Sequence, residues 1–252
     1  MRSAPIQGIL CDIGGVLYVG ERPIRGAIEA VACIRHRYRV RFVTNTTQKT
    51  GAQIVQKLQE MGFEIQPEEV ITALDVTRQF LEREGAGACY LLTDDGAAYF
   101  RDLPEAPCRY VVVGDAQENF SYDRLNRAFR VLMGGGVLLA AAKNRYFKDS
   151  DGELSMDAGG FVAALEYACN TEARIIGKPS REFYHLACAS MGIPPEACVM
   201  IGDDIESDIL GAQEAGLKAA LVKTGKFTAD DLLRGIIPDA VIDSIADFSL
   251  LG

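Results

Sequence analysis

The residues of this chain that could do chemistry are carboxylates placed where short apolar runs end. Asp12 closes Gly8-Ile9-Leu10-Cys11 and is followed by Ile13-Gly14-Gly15. Asp203 closes a second run, Ala197-Cys198-Val199-Met200-Ile201-Gly202, with Asp204, Glu206 and Asp208 close behind it. Thr44-Asn45 ends Val40-Arg41-Phe42-Val43, and Lys178 stands in Gly177-Lys178-Pro179. In an open α/β sheet the carboxyl ends of parallel strands share one edge, and ligands bind there. Gathered at such an edge, these residues could transfer a phosphoryl group. Asp12 would be a carboxylate nucleophile that forms an aspartyl-phosphate. Mg²⁺ bridging Asp12, Asp203 and a phosphate oxygen would neutralise charge that the acidic site otherwise repels. Thr44 and Asn45 would donate hydrogen bonds to phosphate oxygens, and Lys178 would supply a fixed positive charge.

Each feature alone has a plainer reading. An acid at a strand end often caps a helix, and Thr44-Asn45 alone reads as an N-cap. Lys178 alone reads as a solvated loop lysine, and the acids after Gly202 as favourable charge at a helix N-terminus. Their conjunction, each at a strand end, is what points to a site. The position two residues after Asp12 is Gly14, where a second carboxylate would serve acid–base catalysis.

Composition narrows the possibilities. The 252 residues are 48% hydrophobic and 24% charged, enough for a large core or a core with an insertion. The net charge of −9 disfavours nucleic acid as a partner. No apolar run approaches about 18 residues, so no membrane span is expected. Seven cysteines without Cys-x-x-Cys spacing, and no signal-peptide pattern, lead to the expectation of reduced thiols in a cytoplasmic protein. His36 and His185 are the only histidines, so a metal would be held by oxygen ligands, which favours Mg²⁺.

Strand and helix patterns alternate along the chain, which predicts a Rossmann-like, doubly wound parallel sheet. Residues 7–13, 40–44, 197–201, 217–222 and 240–242 read as its strands. Helices are predicted over 27–38, about 49–61, 181–191 and 205–215. A second set runs through the middle, with strands at 89–93, 110–113 and 137–140 and helices at 122–133 and 161–169. Gly134-Gly135-Gly136 reads as a helix stop and turn. The predicted organisation is a core of 1–72 and 178–252 with an inserted α/β cap domain of 73–177.

Together with the strand-end acids, four segments carry a family resemblance: Phe42-Val43-Thr44-Asn45-Thr46-Thr47, Arg145-Tyr146-Phe147-Lys148, Ala164-Leu165-Glu166-Tyr167-Ala168 and Gly177-Lys178-Pro179-Ser180. The chain resembles the haloacid dehalogenase-like hydrolase superfamily over nearly its whole length. The branch is subfamily IIA, with an α/β cap inserted after the second motif, which includes p-nitrophenylphosphatase-like and pyridoxal-phosphatase-like enzymes. Within it the chain is most similar to the phospholysine phosphohistidine inorganic pyrophosphate phosphatase-like proteins. The resemblance implies Asp12 as nucleophile and Mg²⁺ ligand, with the Gly14 carbonyl on the metal. It implies Thr44 and Asn45 on the phosphate, Lys178 as the superfamily lysine and Asp203 as a metal ligand. Asp208 would hold a metal-bound water or orient Lys178. A small phosphorylated substrate and a homodimer through the cap are implied by the same analogy.

The chain departs from the superfamily at Gly14, where most members carry Asp and the nearest relatives tend to carry Ser. The backbone carbonyl survives this change; the proton-transfer group does not. Positioned acid–base catalysis is worth about 10²–10⁴-fold, so alkyl phosphate esters should turn over poorly. P–N bonds and pyrophosphate, whose leaving groups need less help, should suffer less. In the cap, Arg145 and Lys148 are candidates for meeting a second phosphate, against the plainer reading of solvated cations. Asp157, before Ala158-Gly159-Gly160, is a candidate substrate-loop residue or the start of a helix. Gly20-Glu21-Arg22 falls where the family has a mobile flap. Two other readings stand beside phosphatase: a phosphate-binding or regulatory protein without turnover, marked by Gly14, and C–Cl or C–P cleavage. The paired Asp203 and Asp208 disfavour metal-free dehalogenation, and phosphonate cleavage would want a cap lysine such as Lys143 or Lys148.

Overall fold

In a computed structural model, residues 5–104, 106–148 and 153–251 are described, with the side chains of 148 and 249–251 left aside. Six strands form the larger sheet, in the order Ala240–Ile242, Lys218–Val222, Cys198–Gly202, Gly8–Asp12, Arg39–Thr44, Val70–Thr72. Gly8–Asp12 lies centrally and pairs in parallel with Cys198–Gly202 on one side and Arg39–Thr44 on the other. The order runs outward both ways from that strand, the doubly wound arrangement read from the sequence. Every residue of Gly8–Asp12 and Cys198–Gly202 is buried, as continuous apolar runs in a sheet covered on both faces must be. Helices Ala27–Arg37 and Gly51–Glu60 bring Val31, Ile34, Ile54, Val55 and Leu58 into one cluster with Ile9, Cys11, Phe42 and Ile201. Leu10, Met200 and Leu221 alternate with residues of that cluster along their strands, and they too are buried.

A second sheet has four parallel strands, in the order Arg174–Ile175, Val137–Ala140, Cys108–Val113, Gly87–Leu91. Helices Tyr122–Met133 and Ala158–Cys169 bury Ala128, Leu132, Val162 and Leu165 in a cluster with Leu91, Val111, Val113 and Leu138. The chain divides into two compact units. One holds the residues up to Thr44, Gln53–Ile71 and the chain from Lys178 on; the other holds Asn45–Ala52 and Thr72–Gly177. The segment 45–52, expected with the core, thus goes with the second unit. The reason is local: the Asp115 N–H donates to Thr47 Oγ1 at 2.7 Å, and Gln48 Nε2 donates to Asp115 at 2.5 Å.

Several elements differ from the sequence reading. The helix expected from Phe161 begins at Ala158, because Asp157 caps it and the two glycines do not break it. The stretch after Asp12 holds a short hairpin, Tyr18–Val19 with Arg22–Pro23, and a further hairpin joins Tyr146–Lys148 to Leu154–Met156. The helix expected over 205–215 opens as a widened π-helical turn, Ile205–Leu210, before the α-helical Gly211–Glu214. No helix of the described residues is long and apolar enough to cross a membrane.

Candidate active site

Parallel pairing brings the strand-end residues to one edge. Cys11 lies opposite Ile201 and Asp12 opposite Val43, so Asp12, Asp203 and Thr44 end or come just after adjacent strands at the same edge. Lys178 joins them: its Nζ donates to Asp12 Oδ1 at 2.5 Å and to Asp208 Oδ1 at 2.6 Å, with only 4% of its side chain exposed. Asp208 reaches Lys178 because the π-helical turn carries it back over its own start. Its Oδ2 accepts the N–H groups of Asp203 and Asp204 at 3.2 Å each. Asp204 caps the turn, accepting from the N–H groups of Glu206 and Ser207. Behind it the buried Tyr184 hydroxyl donates to the Ser207 carbonyl.

Glycines make this crowding possible. A side chain at Gly202 would collide with Asp208, and one at Gly15 with the Asp203 carboxylate. Gly15 also has φ +82°, a conformation that glycine adopts without strain. The loop after Lys218–Val222 closes the other side: Thr224 Oγ1 donates to the Gly15 carbonyl at 2.5 Å, and the Lys226 N–H donates to Asp203 Oδ2 at 2.7 Å. The sequence reading missed Thr224 and Lys226. Thr224 uses a hydroxyl on a backbone carbonyl and Lys226 a backbone N–H; Gly225 between them, shortly after a strand, is the signal that could have pointed there.

The electrostatics are those of an acidic site with too little positive charge. Burial raises the pKa of Asp203, and the carboxylates of Asp12 and Asp208 raise it further. Asp208 is pushed up to about 6, first by burial, with Lys178 pulling the other way. Burial alone would lower the Lys178 pKa, but Asp12 and Asp208 hold it well above its ordinary value, so it stays charged. Oxygens of Asp12, Asp203 and Asp208 lie within 4.8 Å of one another. An all-oxygen, electron-rich donor set of this kind suits Mg²⁺. Asp208 accepts from Lys178 and two N–H groups, whereas Asp12 accepts from Lys178 and Asp203 from the Lys226 N–H.

This charge imbalance bears on stability in two ways. Asp203 and Asp208 have folded-state pKa values above the roughly 3.9 of an unfolded Asp. The stability they contribute is therefore complete below about pH 4 and is lost as pH rises, for Asp208 through about 6. In EDTA the melting temperature should fall between pH 5 and pH 7 by more than it does with Mg²⁺ present; parallel melting curves with and without Mg²⁺ would contradict this. Lys178→Ala leaves Asp12 and Asp208 buried without their counter-charge. It should cost about 3–5 kcal/mol of stability in metal-free urea unfolding, with Mg²⁺ restoring part, whereas a cost under about 1 kcal/mol would remove Lys178 from this role.

The structure also places the other sequence candidates. Gly14 lies in the turn after Asp12, and a Cβ there would meet nothing within 4 Å. Thr44 is buried at its strand end, and Asn45, half-buried, begins the segment that belongs to the second unit. Asp157 is the N-cap of Ala158–Cys169, accepting from the Ala158 N–H at 2.6 Å. Arg145 is exposed beside the Tyr146–Lys148 strand, which Lys148 ends; the Lys148 side chain lies outside the described residues. Lys143 pairs with Glu166 at 2.7 Å.

Comparison with known proteins agrees with this architecture. Residues 9–102 match a family described as haloacid dehalogenase-like hydrolase, and residues 175–248 one described as HAD-hydrolase-like. The phospholysine phosphohistidine inorganic pyrophosphate phosphatase of Homo sapiens is 40% identical over 254 residues, covering 98% of this chain and 94% of that protein. Among solved structures, a 4-nitrophenylphosphatase from Thermotoga maritima is 26% identical with a TM-score of 0.88, covering 97% of each chain. A glycerol phosphate phosphatase from Mycobacterium tuberculosis, solved in complex with magnesium, is 25% identical with a TM-score of 0.86, covering 97% of this chain and 77% of that one. With such identity along nearly the whole of both sequences, and the same fold in the solved structures, the chain belongs to the haloacid dehalogenase-like hydrolase family, as a phosphatase.

Proposed function

We propose that this protein is a Mg²⁺-dependent phosphatase that works through an aspartyl-phosphate on Asp12 and favours substrates with undemanding leaving groups. The observation that carries this reading is the buried Lys178 ammonium bridging Asp12 and Asp208 beside Asp203. Lys178 occupies Asp12 Oδ1, which leaves Oδ2 to attack phosphorus while the ammonium steadies the carboxylate. The new Asp12–phosphorus bond forms as the bond to the leaving group breaks, and the leaving group keeps the electron pair. Mg²⁺, when held by Asp12, Asp203 and the Gly14 carbonyl with Asp208 behind them, supplies the charge neutralisation that an anionic substrate needs. Thr44 and Asn45 donate to the transferred phosphoryl oxygens.

Gly14 shapes both steps of the reaction. With no side chain there to protonate the departing atom, a P–N nitrogen protonated beforehand, or pyrophosphate with its weakly basic leaving group, reacts more readily than an alkyl ester. Water then attacks phosphorus and releases phosphate, but without a side-chain base at position 14 this second step is slow. The test is phosphate release from pyrophosphate, a phosphoramidate and p-nitrophenyl phosphate, with Mg²⁺ and with EDTA. Release that needs Mg²⁺ and is fastest on the first two is expected; no release from any of them favours the second reading, a phosphate-binding protein without turnover, which Gly14 also suggests.

The same reading makes the protein cytoplasmic and homodimeric through its second unit. The exposed Tyr146, Leu154 and Met156 of the hairpin, and Tyr167, are apolar side chains that such a contact would cover. A monomeric mass in sedimentation at micromolar concentration would count against the dimer.

A further inference from the structure

The second unit contains a cavity of about 440 Å³ that shares no residue with the Asp12 site. Its size falls in the range of small-molecule pockets, roughly 300–1,000 Å³. It lies along Gly87–Leu91, the end strand of the four-stranded sheet, with Cys89 and Tyr90 in its wall. The half-buried Tyr90 ring stacks on the buried Phe100, with centroids 4.9 Å apart and planes 23° from parallel, so an aromatic pair stands in the wall. Arg101, Arg124 and Arg127 also line it, beside the apolar Ala97, Leu103 and Pro104.

Two features of this cavity serve no packing purpose. The Tyr90 hydroxyl is buried and has no hydrogen-bond partner among the described residues, whereas most buried polar atoms have one. Burial pushes its pKa up to about 12, so it remains a protonated donor near neutral pH. The three arginines are also short of counter-charge. Among the described residues no carboxylate pairs with Arg101 or Arg127, and Asp94 approaches Arg124 only to 3.8 Å. On a chain of net charge −9, three exposed cations around one cavity with an aromatic wall make a locally positive opening that suits an anion.

We propose that this cavity is a binding site for a small aromatic anion, its ring against Tyr90 and its acidic group met by Arg101, Arg124 and Arg127. The planar guanidinium groups suit a carboxylate, sulfonate or phosphate.

The probe is 8-anilinonaphthalene-1-sulfonate, titrated by fluorescence with Mg²⁺ into the full chain and into Asp12→Asn, so that any binding at the Asp12 site shows as a difference between the two. One saturable site is expected. Arg101→Ala with Arg127→Ala should weaken it about tenfold or more. Arg234→Ala, which removes an exposed arginine paired with Glu206 in the first unit, should leave it unchanged. The uncharged N-phenyl-1-naphthylamine should bind more weakly than the sulfonate. Should the double variant lose its circular dichroism spectrum, Arg127→Glu alone carries the same test. No saturable binding, equal binding by the double variant, or equal binding of the uncharged probe overturns the proposal.

Discussion

Gly14→Asp should raise hydrolysis of an alkyl phosphate such as glycerol phosphate by about 10²–10⁴-fold, the usual worth of a positioned acid–base group. The argument rests on space and position. A Cβ at Gly14 meets nothing within 4 Å, so the first atom of a new side chain enters open space. It stands two residues after Asp12, in a turn held by the Leu17 N–H on the Ile13 carbonyl and the Gly15 N–H on the Tyr18 carbonyl. Pyrophosphate hydrolysis should change by less than about tenfold, because its leaving group gains little from protonation. The contrast between the two substrates is the informative quantity. If neither rate moves, the absent side chain is not what limits this enzyme, and the reading of Gly14 fails.

Asp12→Asn should remove turnover on every substrate, by about 10⁴-fold or more, equivalent to some 5.5 kcal/mol of barrier. The carboxamide has nearly the shape of the carboxylate, so the strand and its pairing persist, but it is a poor nucleophile towards phosphorus. It also removes one of three clustered negative charges, so the rise in melting temperature on adding Mg²⁺ should shrink. Circular dichroism separates this loss from unfolding. Retention of activity within tenfold of the parent would take Asp12 out of the reaction.

The strand-end acids were legible in the sequence for a physical reason. A strand buried on both faces is apolar without a break, so Gly8-Ile9-Leu10-Cys11 and Cys198-Val199-Met200-Ile201 stop conspicuously at Asp12 and Asp203. Parallel pairing then brings both stops to one edge. The way Asp208 reaches Lys178 was not legible: the apolar spacing after Asp204 fits an α-helix, and the widened turn shows only in the backbone bond from the Ile209 N–H to the Asp204 carbonyl, five residues back. The same holds for Thr224 and Lys226, whose contacts use backbone groups that leave no periodic pattern. The assignment of 45–52 to the second unit depends on Thr47 and Gln48 meeting Asp115, a pairing across more than sixty positions that local pattern does not encode. The short hairpins carry too few residues to establish a period of two.

The central claim is that phosphate passes through Asp12, and one measurement addresses it directly. The enzyme is mixed with ³²P-labelled pyrophosphate and Mg²⁺, quenched in acid at millisecond intervals, and the label on protein is counted and mapped. Slow loss of phosphate from Asp12 predicts a burst approaching one label per chain, released by hydroxylamine, located on the peptide that contains Asp12 and absent from Asp12→Asn. Phosphate release at the steady rate from the first turnover, with no label on that peptide at any time, would contradict the account.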